Sequence, residues 1–179
     1  MAAPQILVLP GWQGAGPAAW LARWAAAQDY RVVAQHDWLR PLRGDWLMRL
    51  DEAVQDAQGK VVLLAHCLGC QQVAAWAAHS RHTRQVAAAL LLAPLDVQSP
   101  ALSQTLPSWR AVPRQRLPFK AMLVGSDNDT YCHLETAQTL ATDWGAQWRR
   151  AGPVGHLNDA STLDDWPQGQ LLLTELLKD

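Results

Sequence analysis

The chain has 179 residues, of which 49% are apolar and 17% charged, and its formal net charge is −1. A chain of this length and apolar content can bury a core, so we expect one globular domain spanning residues 1–179 and exclude extended disorder. The near-neutral charge excludes the basic field that nucleic-acid binding requires. Without a signal-peptide pattern, a bilayer-length apolar run or an even cysteine count, a cytoplasmic location is expected.

Short apolar runs alternate along the chain with longer amphipathic runs. In chain order they predict a strand at 5–10, a helix at 16–28, a strand at 31–35, a helix at 45–57, a strand at 60–66, a helix at 68–79, strands at 86–94 and 119–126, a helix at 131–144, a strand at 146–152 and a helix at 166–178. Near-continuous apolar strands separated by helices favour a doubly wound α/β fold with a mainly parallel sheet of about six strands. In such sheets the chemistry gathers at the carboxyl ends of the strands. The proline-containing residues 96–118 are predicted to form one long irregular loop over a strand end.

The strand predicted at 60–66 leads through Ala65-His66-Cys67-Leu68-Gly69 directly into a predicted helix. A nucleophile elbow has this form, G-x-S-x-G between a strand and a helix, because its strained turn needs small neighbours. Cys67 takes the central position, at a helix N-terminus that favours a thiolate. Cys67 is therefore the candidate nucleophile, although a buried and inert cysteine would give the same pattern.

An acid and a histidine follow in the order that a hydrolase of this architecture requires, which is nucleophile, acid and then histidine. Asp129 comes after the fifth predicted strand, and His156 lies on the loop after the sixth. An imidazole at His156 could take the proton of Cys67, and a carboxylate at Asp129 could fix the histidine tautomer. An aspartate after a strand is often only a turn former, but three matches in order favour a Cys-His-Asp triad. Asp96, which follows another strand, stays open as an alternative acid.

The glycine-rich segment "LPGWQGAG" follows the first predicted strand. Acyl transfer needs two backbone N–H groups aimed at the developing oxyanion. In this architecture they come from the residue after the nucleophile, Leu68, and from an early loop, here Trp12 or its neighbour Gln13. The glycine spacing does not fit the dinucleotide fingerprint G-x-G-x-x-G. By position, Trp12, Gln13 and the 96–118 loop are the expected walls of a substrate pocket.

Four segments together resemble one known family: "LPGWQGAGPAAW", "LLAHCLGC", "GSDNDTYC" and "GHLN", in this order from Leu9 to Asn158. They are similar to the small α/β-hydrolase family typified by retinoblastoma-binding protein 9 and its bacterial relatives. The resemblance implies a reduced α/β-hydrolase fold without a large lid, and a serine hydrolase activity. It also implies that Asp129 is the triad acid and His156 the base.

Members of that family carry serine where this chain has Cys67. Because a thiolate is intrinsically reactive and histidine can activate it, the main interpretation is a hydrolase that acts on an ester or similar small acyl substrate through a covalent acyl-enzyme. A catalytically silent binding protein stays open as an alternative, and the sequence does not exclude an engineered Ser-to-Cys substitution. Cys67 and Cys70 also form a C-x-x-C pair, which permits a thiol–disulfide oxidoreductase but gives Asp129 and His156 no role.

Two other polar patterns in the sequence do not match the requirements of a metal site. His79 and His82 stand three residues apart without the cysteine or carboxylate company of a metal site, and "DND" at 127–129 lacks the later ligands of a calcium loop. We therefore expect no cofactor and no metal. The expected partner is a small-molecule acyl substrate, with neither nucleic acid nor a membrane, and the oligomeric state is left open.

Overall fold

The computed structural model describes residues 3–178 and contains one sheet of six parallel strands. The strands are β1 Gln5–Leu9, β2 Arg31–Val32, β3 Val61–Cys67, β4 Val86–Pro94, β5 Lys120–Gly125 and β6 Gln147–Arg150. Their spatial order is β2-β1-β3-β4-β5-β6, and every neighbouring pair is parallel. The predicted doubly wound parallel sheet of about six strands is confirmed.

Six α-helices connect and cover the strands: α1 Trp20–Ala27, α2 Arg43–Asp56, α3 Leu68–Ala77, α4 Pro100–Thr105, α5 Leu134–Trp144 and α6 Pro167–Lys178. Short 3₁₀ helices occur at Thr83–Gln85, Pro107–Trp109 and Asp159–Ser161. Within residues 3–178, none of the helices combines the length and the hydropathy needed to cross a bilayer.

The core lies on both faces of the sheet because the central strands are apolar on both sides. All seven residues of β3 are buried. One face packs against α2, α3 and α5 through side chains such as Leu50, Val73 and Leu140. The other face packs against α1 and α6 through side chains such as Trp20 and Leu173. This two-sided burial is what continuous apolar strands predict for a parallel sheet.

The segment at 96–118 is not one irregular loop, and this prediction is wrong. Its first part is the helix α4, whose N-cap Ser99 accepts a hydrogen bond from the Leu102 N–H at 3.4 Å. Pro100 occupies the first helical position, where its fixed φ angle suits a helix and its missing N–H costs nothing. The dipeptide Ser-Pro was therefore a helix-start signal within a stretch whose proline content indicated a loop.

The chain has ten tryptophans, and most of them also form hydrogen bonds through the indole N–H. Seven indole N–H groups donate to loop carbonyls or to a carboxylate, those of Trp12, Trp20, Trp24, Trp46, Trp76, Trp109 and Trp144. Each such ring joins a large apolar contact to one polar bond. The connections between strands are thereby tied to the core at defined points.

Candidate active site

Cys67 occupies the turn between β3 and α3 in a conformation that few side chains adopt. Its φ is 56° and its ψ is −123°, which places it in a strained, positive-φ region. Such a residue costs about 1–3 kcal/mol and persists only where the surroundings hold it. Cys67 as a whole residue is 6% exposed, and it lines a cavity at the carboxyl edge of the sheet. The backbone has the geometry of a nucleophile elbow.

Two glycines let other chain segments approach this turn. A Cβ atom on Gly69 would lie 2.3 Å from the backbone oxygen of Leu9, so only glycine lets α3 begin this close to β1. A Cβ atom on Gly11 would lie 2.4 Å from the Cβ of Cys67 and 2.7 Å from its Sγ. The loop after β1 and the start of α3 therefore both close around Cys67.

His156 and Asp129 form a buried pair on neighbouring loops. The Nδ1 of His156 lies 2.8 Å from Oδ2 of Asp129 and 3.0 Å from its Oδ1. Both residues are buried, with 7% of His156 and 6% of Asp129 exposed. Oδ1 also accepts a hydrogen bond from the Tyr131 N–H at 2.8 Å. Because Nδ1 faces the carboxylate, it carries a proton and leaves Nε2 for chemistry.

The Nε2 atom of His156 faces the Cys67 thiol. Burial alone would lower the pKa of His156, but hydrogen bonding to Asp129 and Cys67, together with their charges, raises it to about 10. Among residues 3–178, Nε2 has no hydrogen-bond partner. The approach of Nε2 to the thiol is therefore looser than a hydrogen bond. The raised pKa keeps the imidazole protonated at neutral pH, with Nδ1 bound to Asp129 and Nε2 turned toward Cys67.

Backbone N–H groups are available near Cys67. Leu68 is the first residue of α3, so its N–H has no acceptor within the helix. In the loop after β1, the Gln13 N–H donates to the carbonyl of Trp38 at 2.9 Å and is therefore occupied. No backbone acceptor among residues 3–178 takes the Trp12 N–H. Of these two loop amides, that of Trp12 is therefore the one without a backbone acceptor among the described residues.

The cavity beside Cys67 has a volume of about 370 Å³. Trp12 and Gln13 line it, together with Leu95, Tyr131 and residues 158–160. The predicted wall from 96–118 is absent from this lining. That segment instead packs into a buried cluster that contains Cys67 together with Trp46, Leu68 and Trp109. The indole of Trp109 holds it there by donating to the carbonyl of Pro41 at 2.8 Å.

Cys70 is not placed beside the cavity. Its side chain is fully buried, and its Sγ lies 3.4 Å from the carbonyl oxygen of Leu92 and 3.6 Å from that of Ala65. Burial raises the pKa of the Cys70 thiol well above its usual value. Cys67 and Cys70 are both free thiols. A buried, protonated thiol aimed into the core is unsuited to dithiol exchange with Cys67.

The other candidate groups lie apart from the pair of His156 and Asp129. Asp96 accepts the Gln98 N–H through its Oδ1 at 3.1 Å rather than contacting the histidine. The expectation that His82 lacks a carboxylate neighbour is wrong, because its Nδ1 lies 3.1 Å from Oδ2 of Asp51. Within residues 3–178, no cluster of three or more histidine, cysteine and acidic side chains is arranged to hold a metal ion.

Three polar residues support the site without having been predicted to do so. Asn128 Oδ1 accepts the Gly155 N–H at 2.7 Å, and Ser126 Oγ accepts the Val154 N–H at 3.1 Å. These bonds tie the loop of Asp129 to the loop of His156. The third is His66, whose Nε2 lies 2.7 Å from the His156 carbonyl oxygen. The segments "GSDND" and "AHC" were visible in the sequence, but only as parts of motifs.

The raised pKa of His156 predicts a loss of stability on the alkaline side. An unfolded histidine titrates near pH 6.5, whereas His156 in the fold keeps its proton until about pH 10. Between these values the folded state binds more protons, so the free energy of unfolding falls as pH rises. Urea titrations from pH 6 to 10 should show this fall in the native chain and a flatter profile in His156→Gln. Equal pH dependence of the free energy of unfolding in the two proteins would contradict a raised pKa for His156.

The order of the strands, the strained turn after β3 and the carboxylate–histidine pair beside it define an α/β-hydrolase fold. Within residues 3–178 no large lid is inserted between its strands. The chain belongs to the serine hydrolase family, whose sequence model matches residues 6–175.

Solved structures share this fold at low sequence identity. A YdeN-like hydrolase from Pectobacterium atrosepticum is 18% identical, with a TM-score of 0.84, over 96% of this chain and 89% of its own. The YdeN gene product of B. subtilis is 16% identical, with a TM-score of 0.79, over 99% of this chain and 100% of its own. The carboxylesterase CesB of B. subtilis is 12% identical, with a TM-score of 0.65, over 98% of this chain and 84% of its own. No curated protein matches the chain.

Proposed function

We propose that this protein is a cysteine-dependent hydrolase that cleaves esters or similar small acyl compounds through a covalent acyl-enzyme. The observation that carries the proposal is the position of His156, whose Nδ1 is bound to Asp129 while its Nε2 faces Cys67. Cys67 is then the nucleophile, His156 the general acid and base, and Asp129 the residue that fixes the tautomer. The four sequence motifs also favour placing the chain with relatives of retinoblastoma-binding protein 9, and a free nucleophilic thiol suits a reducing cytoplasm.

Acylation begins with attack of the Cys67 thiolate on the acyl carbonyl carbon, which moves the carbonyl electrons onto oxygen. The N–H groups of Leu68 and Trp12 hold the resulting oxyanion. When the tetrahedral intermediate collapses, the bond to the leaving group breaks, and the protonated Nε2 of His156 gives its proton to the departing oxygen. The product of this half-reaction is a thioester on Cys67.

Deacylation returns the site to its starting state. Neutral His156 takes a proton from water through Nε2, and the hydroxide attacks the thioester carbonyl. Collapse of the second intermediate breaks the carbon–sulfur bond, and Cys67 leaves as a thiolate beside the protonated His156. Asp129 stabilises the imidazolium at both stages. The cavity of about 370 Å³ that Trp12 and Tyr131 line is the place for the acyl group.

Turnover of p-nitrophenyl acetate with intact-mass analysis tests the proposal. The native chain should turn over and carry one acetyl group during the reaction, whereas Cys67→Ala should lose at least about 10³-fold in rate and all of the adduct. Cys132→Ala is the matched control, since Cys132 is also a buried free cysteine, and it should retain both. Undiminished turnover in Cys67→Ala would contradict the mechanism.

The same experiment distinguishes the proposed hydrolase from a catalytically silent binding protein. If the native chain forms neither adduct nor product while Cys67→Ser turns over, the fold is hydrolytic and cysteine has switched it off. If neither protein reacts, the catalytic proposal fails and the cavity is left as a binding site.

A further inference from the structure

The loop that carries His156 is held in an uncommon conformation. His156 lies between Gly155, with φ of 67°, and Leu157, with φ of 55°. A positive φ is unfavourable for a leucine by about 1–2 kcal/mol, so this conformation needs tertiary contacts to hold it. Leu157 is only 1% exposed, which anchors its side chain in the core. The two carbonyl groups of residues 156 and 157 must also find donors, because they are buried with the loop.

Both carbonyl groups are bound by aromatic side chains from the core. His66 Nε2 lies 2.7 Å from the His156 oxygen, in a buried contact. Trp20 Nε1 donates to the Leu157 oxygen, also at 2.7 Å and also buried. The two rings contact each other edge to face, with centroids 6.3 Å apart, and the rings of His66 and His156 are 5.1 Å apart. The two donors therefore form one unit behind the catalytic histidine.

The chemistry of His66 fixes which of its nitrogens carries the proton. A carbonyl oxygen can only accept, so Nε2 of His66 must be the donor. Burial, with a smaller contribution from the charge of His156, lowers the pKa of His66 to about 3. His66 therefore stays neutral at working pH and adds no positive charge beside His156. It acts as a fixed hydrogen-bond donor.

We propose that His66 and Trp20 are positioning residues, which hold the backbone of His156 so that its Nε2 faces the thiol of Cys67. His66 precedes the nucleophile directly, so the end of β3 carries both the reacting thiol and an anchor of its base. A shift of one element then moves thiol and base together. A displacement of about 1 Å in such a constellation can cost about 10²-fold in rate, which is the effect these two bonds prevent. The inference rests on the proposed function.

Matched variants separate positioning from general stability. Trp20→Phe and Trp24→Phe each keep an aromatic ring of α1 and each remove one indole hydrogen bond of 2.7 Å, but the Trp24 bond goes to the Asp165 carbonyl. Both should lose similar stability, whereas only Trp20→Phe should lose kcat, by about 10-fold at unchanged KM. His66→Leu should lose kcat by about 10²-fold. His66→Gln, whose amide can reach the same carbonyl, should restore most of it.

A second readout is independent of turnover. Titration of His156 by NMR should give a pKa near 10 in the native chain and in Trp24→Phe, and a lower pKa in His66→Leu because the contacts with Cys67 and Asp129 loosen. An inactive native chain with this pattern of pKa values would overturn the proposed hydrolase and leave the positioning intact. Equal kcat and His156 pKa values in native, Trp20→Phe and His66→Leu proteins would overturn the positioning.

Discussion

The Asp129→Asn variant is expected to lose about 10⁴-fold in kcat/KM while keeping its fold. Asparagine has nearly the same shape as aspartate, so the loop and the bond from the Tyr131 N–H to Oδ1 can remain. Its amide, however, carries no charge and can present N–H groups to the His156 ring. The ring then favours the tautomer with its proton on Nε2, which cannot take a proton from Cys67 or from water. The pKa of His156 should fall for the same reason.

Asp96→Asn is the control for this prediction, because Asp96 also follows a strand and was the alternative acid from the sequence. Its Oδ1 accepts the Gln98 N–H at 3.1 Å, a bond that asparagine can keep. Ester hydrolysis should be unchanged in Asp96→Asn. Comparable losses in both variants would show that neither carboxylate acts through His156, and full activity in Asp129→Asn would remove Asp129 from the mechanism. NMR titration of His156 reports the same comparison without substrate.

The central strands and the order of the candidate site residues could be predicted from the sequence, because both follow from short-range patterns. Continuous apolar runs predicted β3, β4 and β5 to within a few residues of their observed bounds. Since the carboxyl ends of parallel strands share one edge of a sheet, Cys67, Asp129 and His156 were expected to meet. The structure places Asp129 and His156 in contact and turns Nε2 of His156 toward Cys67.

Contacts between distant residues could not be predicted in the same way. The bond between His66 and the carbonyl of His156 joins residues 90 positions apart, and it depends on the positive φ of Leu157. From the sequence, the histidine directly before Cys67 is compatible with a turn residue, a ligand or a buried hydrogen-bond donor. Only the packing of β3 against that loop distinguishes these roles. The direction of the Cys70 thiol, into the core rather than toward Cys67, is another property that spacing leaves open.

The local structure of 96–118 shows a different reason for failure. Four prolines made the stretch resemble a loop, but Pro100 stands at the one helical position where proline is favoured. The apolar residues Val97, Leu106 and Trp109 then fold the segment down onto Trp46 and Leu68. Burial against the rest of the fold therefore determines the structure of this segment, although its composition alone indicated an irregular loop. The same burial leaves the segment outside the lining of the cavity beside Cys67.

The Gly69→Ala variant is expected to lose about 3 kcal/mol of stability, although alanine is the better helix former. The new methyl carbon would lie 2.3 Å from the backbone oxygen of Leu9. That oxygen belongs to β1, which is paired with β2 on one side and β3 on the other, so it cannot yield as a flexible side chain would. The start of α3 must move instead. Urea unfolding at neutral pH measures the loss.

Gly44→Ala is the matched control, since Gly44 also lies in a helix and a methyl group there would meet nothing within 4 Å. This variant should gain up to about 1 kcal/mol from helix propensity alone. Gly69→Ala should also lose ester hydrolysis beyond its loss of stability, because a shift of α3 carries the Leu68 N–H away from the oxyanion and relaxes the strained Cys67. A gain of stability in both variants would mean that α3 can move from β1 at little cost. A loss of stability in Gly69→Ala with full activity would mean that the turn at Cys67 is held independently of the helix that follows it.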